Sequence, residues 1–319
     1  MTTSKIPSET FELTLVPDEF DTDFVVIDDQ DPDAIIEARA PAQDLSAVTE
    51  FAHTRIHYTI KFPRDSELVD NIPVILGAGL GAPEMAYDKL SSAIALTGRM
   101  AIIYTPPRTQ SGARAYMPHD LLHPLDLQSK AIWGVMKAAK EKIEVDQFHI
   151  VGHSTGGQTG STAALHHPES VRSLILVGSA GLDGHKLPNM GPRAFRFVRH
   201  ELVPAIIKEP TLAIRALLHN ARSPGRLMRE AVAVSNCDTR ANIQALRQLH
   251  IPVAALQLPD DSFFPLEKQA ATAQIVDDYR SISDPRANHL APQLKAQEVA
   301  EMIDFILTTM QFGNRDIAV

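Results

Sequence analysis

The segment FHIVGHSTGG, residues 148–157, gives the clearest indication of how this chain folds. Residues 148–151 are mostly apolar and predict a short strand, and Thr-Ala-Ala-Leu at residues 162–165 predicts a helix soon after it. Between them, residues 152–156 match the pattern G-x-S-x-G, with Ser154 at the centre. The pattern alone is a weak signal, but a strand, a sharp turn and a helix are the setting that it requires.

This setting explains why the residue types suit a nucleophile. Glycine on both sides of Ser154 lets chain segments pass closely around a strained turn. The helix that follows points its N-terminus at the serine and favours negative charge there. A glycine-rich turn without chemistry is the alternative, and the flanking strand and helix favour the nucleophile.

Outward from this stretch, short apolar segments alternate with helical patterns. The predicted strands are residues 72–76, 100–104, 148–151, 174–177, 253–258 and 279–283. Several are apolar on both faces, as parallel strands covered by helices on both sides must be. The alternation predicts an α/β fold with a doubly wound, mostly parallel sheet. Residues 53–62 alternate between polar and apolar and predict one half-buried antiparallel strand.

The same patterns divide the chain into three parts. Residues 1–50 form a predicted acidic N-terminal arm, and residues 51–183 and 251–319 form the predicted core. Residues 184–250 contain helical patterns without a convincing strand, so we expect a helical cap inserted into the core.

The charge is concentrated at the start of the chain. The net charge is −9, and residues 1–40 alone carry eleven acidic residues against Lys5 and Arg39, which is also −9. The remainder is neutral, so no basic patch predicts a nucleic-acid partner. Such an acidic arm is typically solvated, and binding to a basic partner is the alternative.

Other features exclude further classes of function. No apolar run approaches the roughly 20 residues of a membrane-spanning helix, so no membrane partner is predicted. The start of the chain is polar and resembles no secretory signal, which predicts a cytoplasmic protein. Cys237 is the single cysteine, which excludes an internal disulfide and a cysteine-based metal site. No metal and no cofactor are predicted.

From about residue 72 to residue 310 the chain resembles the α/β-hydrolase superfamily, in its serine-nucleophile branch with a helical cap. Gly152–Gly157, the LHHPESV of residues 165–171 and the SLILVG of residues 173–178 look like the family's nucleophile turn, helix and next strand. The resemblance implies the α/β-hydrolase fold and a Ser-His-Asp catalytic triad. It also implies the chain order serine, acid, histidine.

The resemblance places the other two triad members. His289 lies between the last predicted strand and the C-terminal helix, where the family carries its histidine, although Asn288 replaces the usual glycine. The family's acid lies in the loop after the strand of residues 252–256, four residues before a proline. Asp261 fits that position relative to Pro265, and Asp260 remains the alternative.

The resemblance also implies an oxyanion hole made of two backbone N–H groups. One is expected from Thr155 and the other from Leu80, in the glycine-rich loop of residues 77–81. Ala78-Gly79 replaces the family's His-Gly there, so the second donor could lie one position away. This loop could also suggest phosphate binding, but the G-x-x-x-x-G-K-[ST] pattern is missing.

These residues predict a serine hydrolase that cleaves a carboxylic ester or a related acyl bond of a small molecule through an acyl-enzyme. Gly79, Phe263 and Phe264 are the predicted substrate-binding residues. The apolar cap residues could line the acyl pocket or only pack the cap: Met190, Phe195, Phe197, Val198, Leu217 and Leu218. Alternatives are a C–C bond or lactone hydrolase of the same fold and a non-catalytic ligand-binding module.

Overall fold

An eight-stranded sheet forms the centre of the computed structural model, which describes residues 44–51, 54–63, 68–106, 124–182, 187–221, 224–265 and 272–313. The strands are β1 (Asp44–Phe51), β2 (Thr54–Lys61), β3 (Val74–Gly77), β4 (Ala101–Tyr104), β5 (Phe148–His153), β6 (Val171–Val177), β7 (Val253–Gln257) and β8 (Asp278–Ser281). Their spatial order is β1-β2-β4-β3-β5-β6-β7-β8.

Strands β3 to β8 are all parallel, and an antiparallel hairpin of β1 and β2 extends the sheet from β4. The predicted mostly parallel sheet and the antiparallel strand of residues 53–62 are therefore confirmed. Residues 44–50 differ from the prediction, because they pair with β2, with Asp44 opposite Lys61, and belong to the sheet. The rest of the predicted acidic arm lies outside the described residues.

Helices cover both faces of this sheet. They are α1 (Asp88–Leu96), α2 (Pro124–Ile143), α3 (Thr155–His166), α4 (Leu187–Phe197), α5 (Val203–Lys208), α6 (Pro210–Ala221), α7 (Pro224–Ser235), α8 (Arg240–Gln248), α9 (Ala291–Leu294) and α10 (Ala296–Gly313). A π-helical turn, Val198–Leu202, joins α4 to α5. Among the described helices, none has the length and apolar character needed to cross a membrane.

The alternation of side chains along each strand builds two core layers. Ile75 and Ile150 pack on one face with Ile132 of α2, whereas their neighbours Val74 and Val151 join the layer on the other face. Successive side chains of a strand point to opposite faces, so a strand covered on both sides must be apolar throughout. This requirement explains the uninterrupted apolar runs of the sequence.

Between β6 and β7 the described residues contain helices and no strand, as predicted for an inserted cap. Helices α4 to α7 make up this segment together with the π-helical turn. Helix α8 lies within residues 184–250 as well, but its Ile243 and Leu246 are part of the core layer on one face of the sheet. It therefore packs as a core helix.

The parallel strands bring four loops to one edge of the sheet. The carboxyl ends of β3, β5, β7 and β8 lie at the same edge, which is where open α/β sheets bind their ligands. Residues 77–81, Ser154, residues 258–265 and residues 282–290 follow these strand ends. The fold therefore gathers every predicted site residue of the core at this edge.

A buried arginine joins the core to the last helix. The Arg99 side chain is fully buried, and its Nε donates to Asp304 Oδ1 of α10 at 2.6 Å. Its Nη1 donates to Asp70, which precedes β3, and its Nη2 donates to Thr308 Oγ1 at 3.1 Å. A buried guanidinium is tolerated only when it is paired in this way.

We expect Arg99→Met to lower the free energy of unfolding by about 3 kcal/mol, because two carboxylates lose their buried partner. Asp304 keeps part of its surface in water, which moderates the loss. Urea denaturation followed by circular dichroism measures the change. Arg240→Met is the matched control, since Arg240 pairs with Asp238 on the surface and is expected to contribute about 1 kcal/mol or less. Equal losses in the two variants would contradict the prediction.

Candidate active site

Ser154 occupies a strained turn between β5 and α3. Its backbone angles are φ 55° and ψ −119°, in a region that residues other than glycine rarely adopt. The Ser154 N–H donates to Val177 O at 3.0 Å, and the Ser154 carbonyl accepts the Ala180 N–H at 3.0 Å. Strand β6 and the loop after it therefore hold the turn, and such strain is often found at active sites.

The glycines around Ser154 are required by close backbone contacts. A Cβ atom at Gly152 would lie 2.4 Å from Gly156 O, and one at Gly156 would lie 2.0 Å from Gly77 O. No side chain fits at either distance. The two fixed glycines of the sequence pattern let α3 start directly against β5 and against the loop after β3.

His289 and Asp261 form a buried pair at the same edge of the sheet. His289 Nδ1 and Asp261 Oδ2 are 2.9 Å apart, and both residues are at most 6% exposed. The other Asp261 oxygen, Oδ1, accepts the N–H groups of Phe263 at 2.8 Å and Phe264 at 2.9 Å. The loop therefore orients the carboxylate as well as supplying it.

The structure separates Asp261 from its sequence neighbour. Asp260 is exposed, its N–H donates to Ala287 O at 2.9 Å, and among the described residues its carboxylate makes no contact with His289. Adjacent loop residues point in different directions, so only one of the two carboxylates reaches the histidine. That carboxylate belongs to Asp261.

The environment of His289 makes it a stronger base than an ordinary histidine. Burial by itself lowers the pKa of His289, but the negative charge of Asp261, its hydrogen bond and the charge of Glu201 together raise that pKa above the usual value of 6.5. The Nδ1–H donates to Asp261, which leaves Nε2 as a free acceptor of a proton. His289 therefore has the tautomer and the basicity of a general base.

Gly178 links the Ser154 turn to this pair. A Cβ atom at Gly178 would lie 2.8 Å from Asp261 Oδ2 and 3.6 Å from His289 Nδ1. The preceding residue, Val177, accepts the N–H of Ser154. Among the described residues, the Ser154 hydroxyl makes no hydrogen bond to His289. Such bonds are often long without substrate and shorten when it binds.

A chain of hydrogen bonds connects the loop after β3 to His289. The Gly79 N–H donates to Tyr87 Oη at 2.7 Å, and the Tyr87 hydroxyl lies 2.7 Å from His153 Nδ1. His153 Nε2 lies 2.9 Å from the carbonyl oxygen of His289, so Nε2 carries the proton and Nδ1 accepts from Tyr87. Burial and the neighbouring His289 lower the pKa of His153 well below its usual value, which keeps this imidazole neutral.

These hydrogen bonds indicate which N–H group of the loop after β3 could act as the second oxyanion donor. The Gly79 N–H is already engaged with Tyr87, whereas the Leu80 N–H has no hydrogen-bond partner among the described residues. Thr155 is the first residue of α3. The first N–H groups of a helix have no hydrogen-bond partner within the helix. The N–H groups of Leu80 and Thr155 are thus both available at this edge, and their role as oxyanion donors stays a prediction.

Aromatic rings surround the imidazole of His289. The ring centroid of Phe263 lies 5.1 Å from that of His289, Phe264 lies at 5.4 Å, and Phe197 of the cap lies at 6.0 Å in an edge-on arrangement. Phe264 is buried and packs with Ala180 in a small cluster, while Phe197 and Phe263 are half-buried. Gly79, the third predicted substrate-binding residue, is buried beside Ser154.

The other predicted cap residues differ in position. Phe195, Val198 and Leu218 are between 45% and 68% exposed, so they do not form a closed pocket. The side chains of Met190 and Leu217 lie outside the described residues.

Tyr87, His153 and Glu201 belong to the site but were not predicted as site residues from the sequence. None of the three has a local sequence signal for this role, since each reaches the site only through the folded chain. Arg193 of the cap also contacts the acid loop, where its Nη1 donates to Phe263 O at 3.0 Å.

Comparisons with known proteins agree with this architecture. Residues 129–201 match the family model described as "alpha/beta hydrolase fold". The crystal structure of the enol-lactonase from Burkholderia xenovorans LB400 superimposes with a TM-score of 0.61 at 15% identity, covering 82% of this chain and 99% of that one. At this identity the likeness shows the fold.

Two curated relatives are hydrolases from Pseudomonas. The chain is 40% identical over 65 residues to the 2-hydroxymuconate semialdehyde hydrolase of Pseudomonas sp. strain CF600, a match that covers 18% of this chain and 22% of the relative. It is 22% identical over 148 residues to a 2-hydroxy-6-oxononadienedioate/2-hydroxy-6-oxononatrienedioate hydrolase of Pseudomonas sp., covering 41% and 52%. The chain thus matches about half or less of the length of these relatives.

We expect Tyr87→Phe to lower the free energy of unfolding by about 1–3 kcal/mol, because the buried His153 Nδ1 and the Gly79 N–H both lose the hydroxyl. Thermal denaturation measures this loss. Tyr58→Phe is the matched control in β2, where the hydroxyl has no hydrogen bond to the described residues. A Tyr87→Phe variant as stable as Tyr58→Phe would show that the chain of hydrogen bonds contributes nothing.

Proposed function

Because this chain belongs to the α/β-hydrolase superfamily, we propose that it is a serine hydrolase that cleaves a carboxylic ester or a related acyl bond of a small molecule. The observation that carries the proposal is the buried 2.9 Å contact between His289 and Asp261, at the sheet edge where Ser154 occupies its strained turn. Ser154, His289 and Asp261 are the proposed catalytic triad. A binding module has no need for all three groups.

The proposed reaction proceeds through an acyl-enzyme. His289 Nε2 accepts the proton of Ser154 Oγ while the oxygen attacks the carbonyl carbon, and Asp261 stabilises the imidazolium that forms. The N–H groups of Leu80 and Thr155 bind the oxyanion of the tetrahedral intermediate. The imidazolium then protonates the leaving group, and a water activated by His289 hydrolyses the acyl-enzyme, which regenerates Ser154.

The surroundings of His289 support an apolar substrate. Phe197 and Phe263 are half-buried, their ring centroids are 4.6 Å apart, and both lie beside the imidazole. We assign these two rings and the backbone of Gly79 to the substrate side of the site. Phe264 is buried in a cluster with Ala180 and Val234, so we assign it mainly to the support of the acid loop.

A second candidate is hydrolysis of an activated C–C bond or a lactone by the same residues. The similarity to the semialdehyde hydrolase and to the enol-lactonase favours it. A panel of p-nitrophenyl esters of increasing chain length, run beside an enol-lactone, a thioester and a vinylogous 1,5-diketone, decides between the two. Turnover of the diketone or the lactone far above that of every ester would overturn the ester proposal.

We expect a fluorophosphonate probe to label the wild-type protein at Ser154, because the probe reacts only with an activated serine. Ser154→Ala and His289→Ala abolish labelling, the first by removing the nucleophile and the second by removing its base. Mass spectrometry of the labelled peptide identifies the site. A folded wild-type protein that stays unlabelled and hydrolyses no substrate of the panel would instead indicate a ligand-binding module.

We expect the kcat/KM of the wild-type enzyme to rise with pH through a midpoint above 6.5, because the neutral imidazole is the base and the pKa of His289 is raised. Asp261→Asn lowers kcat by about 10⁴ and moves the midpoint to lower pH, since the charge that raises this pKa is gone. The pH dependence of ester hydrolysis measures both effects.

Asp260→Asn is the matched control, because it makes the same chemical change at the exposed neighbour. We expect it to keep the wild-type midpoint and rate. If Asp260→Asn caused the larger loss, the assignment of Asp261 as the triad acid would be wrong.

A further inference from the structure

A second carboxylate reaches the catalytic edge from the cap. Glu201 lies in the π-helical turn Val198–Leu202, and it is 1% exposed. Turns of this kind are rare and frequently lie at functional sites. Burying a carboxylate is unfavourable unless it is well bonded, so its partners indicate why it is there.

The partners of Glu201 are the two loops that carry the proposed acid and base. Glu201 Oε1 accepts the N–H of Ser262 at 2.8 Å, and Oε2 accepts the N–H of His289 at 2.6 Å. Ser262 directly follows Asp261, so one carboxylate joins the acid loop to the histidine itself. Because both oxygens accept N–H groups, these hydrogen bonds favour the ionised form of Glu201, whereas its burial disfavours that form.

The titratable groups that face His289 come from three parts of the chain. Asp261 faces it from the acid loop, Glu201 from the cap and the neutral His153 from β5. The negative charge of Glu201 contributes to raising the pKa of His289. Burial raises the pKa of Glu201 itself, and the hydrogen bond from Ser262 opposes that rise. The cap thus supplies a second negative charge beside the base.

We propose that Glu201 is a positioning residue, which holds the acid loop and the histidine loop in register and couples the seating of the cap to the competence of the His289–Asp261 pair. This inference rests on the proposed function, since it assigns His289 as the base. When the cap is seated, the Glu201 carboxylate orders both loops and stabilises the imidazolium.

Glu201→Gln tests the proposal, because the amide keeps the shape of the side chain but loses the charge and one acceptor. We expect kcat/KM for the best ester to fall by about 10²-fold, as for a displaced catalytic group. We also expect the midpoint of its pH profile to move to lower pH, because the removed charge favoured the protonated imidazole. A purely structural role would lower the melting temperature and leave this midpoint in place.

Glu209→Gln is the matched control. Glu209 is also a cap carboxylate, at the end of α5, and its Oε1 binds Lys89 Nζ of the core at 3.1 Å. The variant makes the same chemical change and removes a contact between cap and core, but it touches neither loop of the proposed pair. We expect it to keep the wild-type pH midpoint.

Glu201→Asp keeps the proposal testable if the glutamine variant does not fold. Its carboxylate retains the charge but is one methylene too short to bridge Ser262 and His289. We expect lower kcat/KM with a pH midpoint near that of the wild type. A pH midpoint unchanged in folded Glu201→Gln, or a kcat/KM unchanged in Glu201→Asp, overturns the proposal.

The imidazole of His289 can also be followed without catalysis. Its ring proton resonance, identified by its absence in His289→Ala, reports its pKa by nuclear magnetic resonance in wild-type and Glu201→Gln protein. A lower pKa in the variant supports the coupling, and an equal pKa refutes it. Should the wild type hydrolyse nothing and resist the fluorophosphonate, the proposed function fails, and this titration still decides whether Glu201 acts on His289.

Discussion

The close approach of two backbone segments at Gly77 and Gly156 is the constraint on which the site depends. A Cβ atom at Gly156 would lie 2.0 Å from Gly77 O, so the start of α3 and the end of β3 touch without side chains between them. This contact fixes the Ser154 turn beside the loop that carries Leu80. The proposed mechanism depends on this contact, because a nucleophile and its oxyanion donors are useful only when their separation is held tightly.

Buried polar groups then tie the remaining loops to this contact. Tyr87 and His153 connect Gly79 to the carbonyl of His289. Glu201 connects the N–H of His289 to the acid loop. Each bond joins segments that are distant in the sequence and close at the sheet edge. In a low-dielectric interior such networks are strong when every member is satisfied, which makes the edge rigid.

Two histidines lie side by side here, and their surroundings give them opposite properties. The ring centroids of His153 and His289 are 4.7 Å apart. His153 is hydrogen-bonded to a hydroxyl and to a carbonyl, and it serves as a structural link. Burial keeps its imidazole neutral by lowering its pKa. His289 faces two carboxylates, which raise its pKa and prepare it to take a proton. The difference lies in the neighbours rather than in the residue type.

The local apolar patterns and glycines of the sequence were enough to predict strands β2 to β8, their mostly parallel arrangement and the turn at Ser154, whereas β1 emerged only from its pairing with β2. The resemblance also favoured Asp261 as the acid but left Asp260 as the alternative, because the two residues are adjacent in one loop and differ mainly in the direction they face. That choice required the tertiary structure, as did Glu201, whose partners Ser262 and His289 lie 61 and 88 positions further along the chain. No local pattern encodes such contacts, since they exist only once the cap is folded onto the sheet edge.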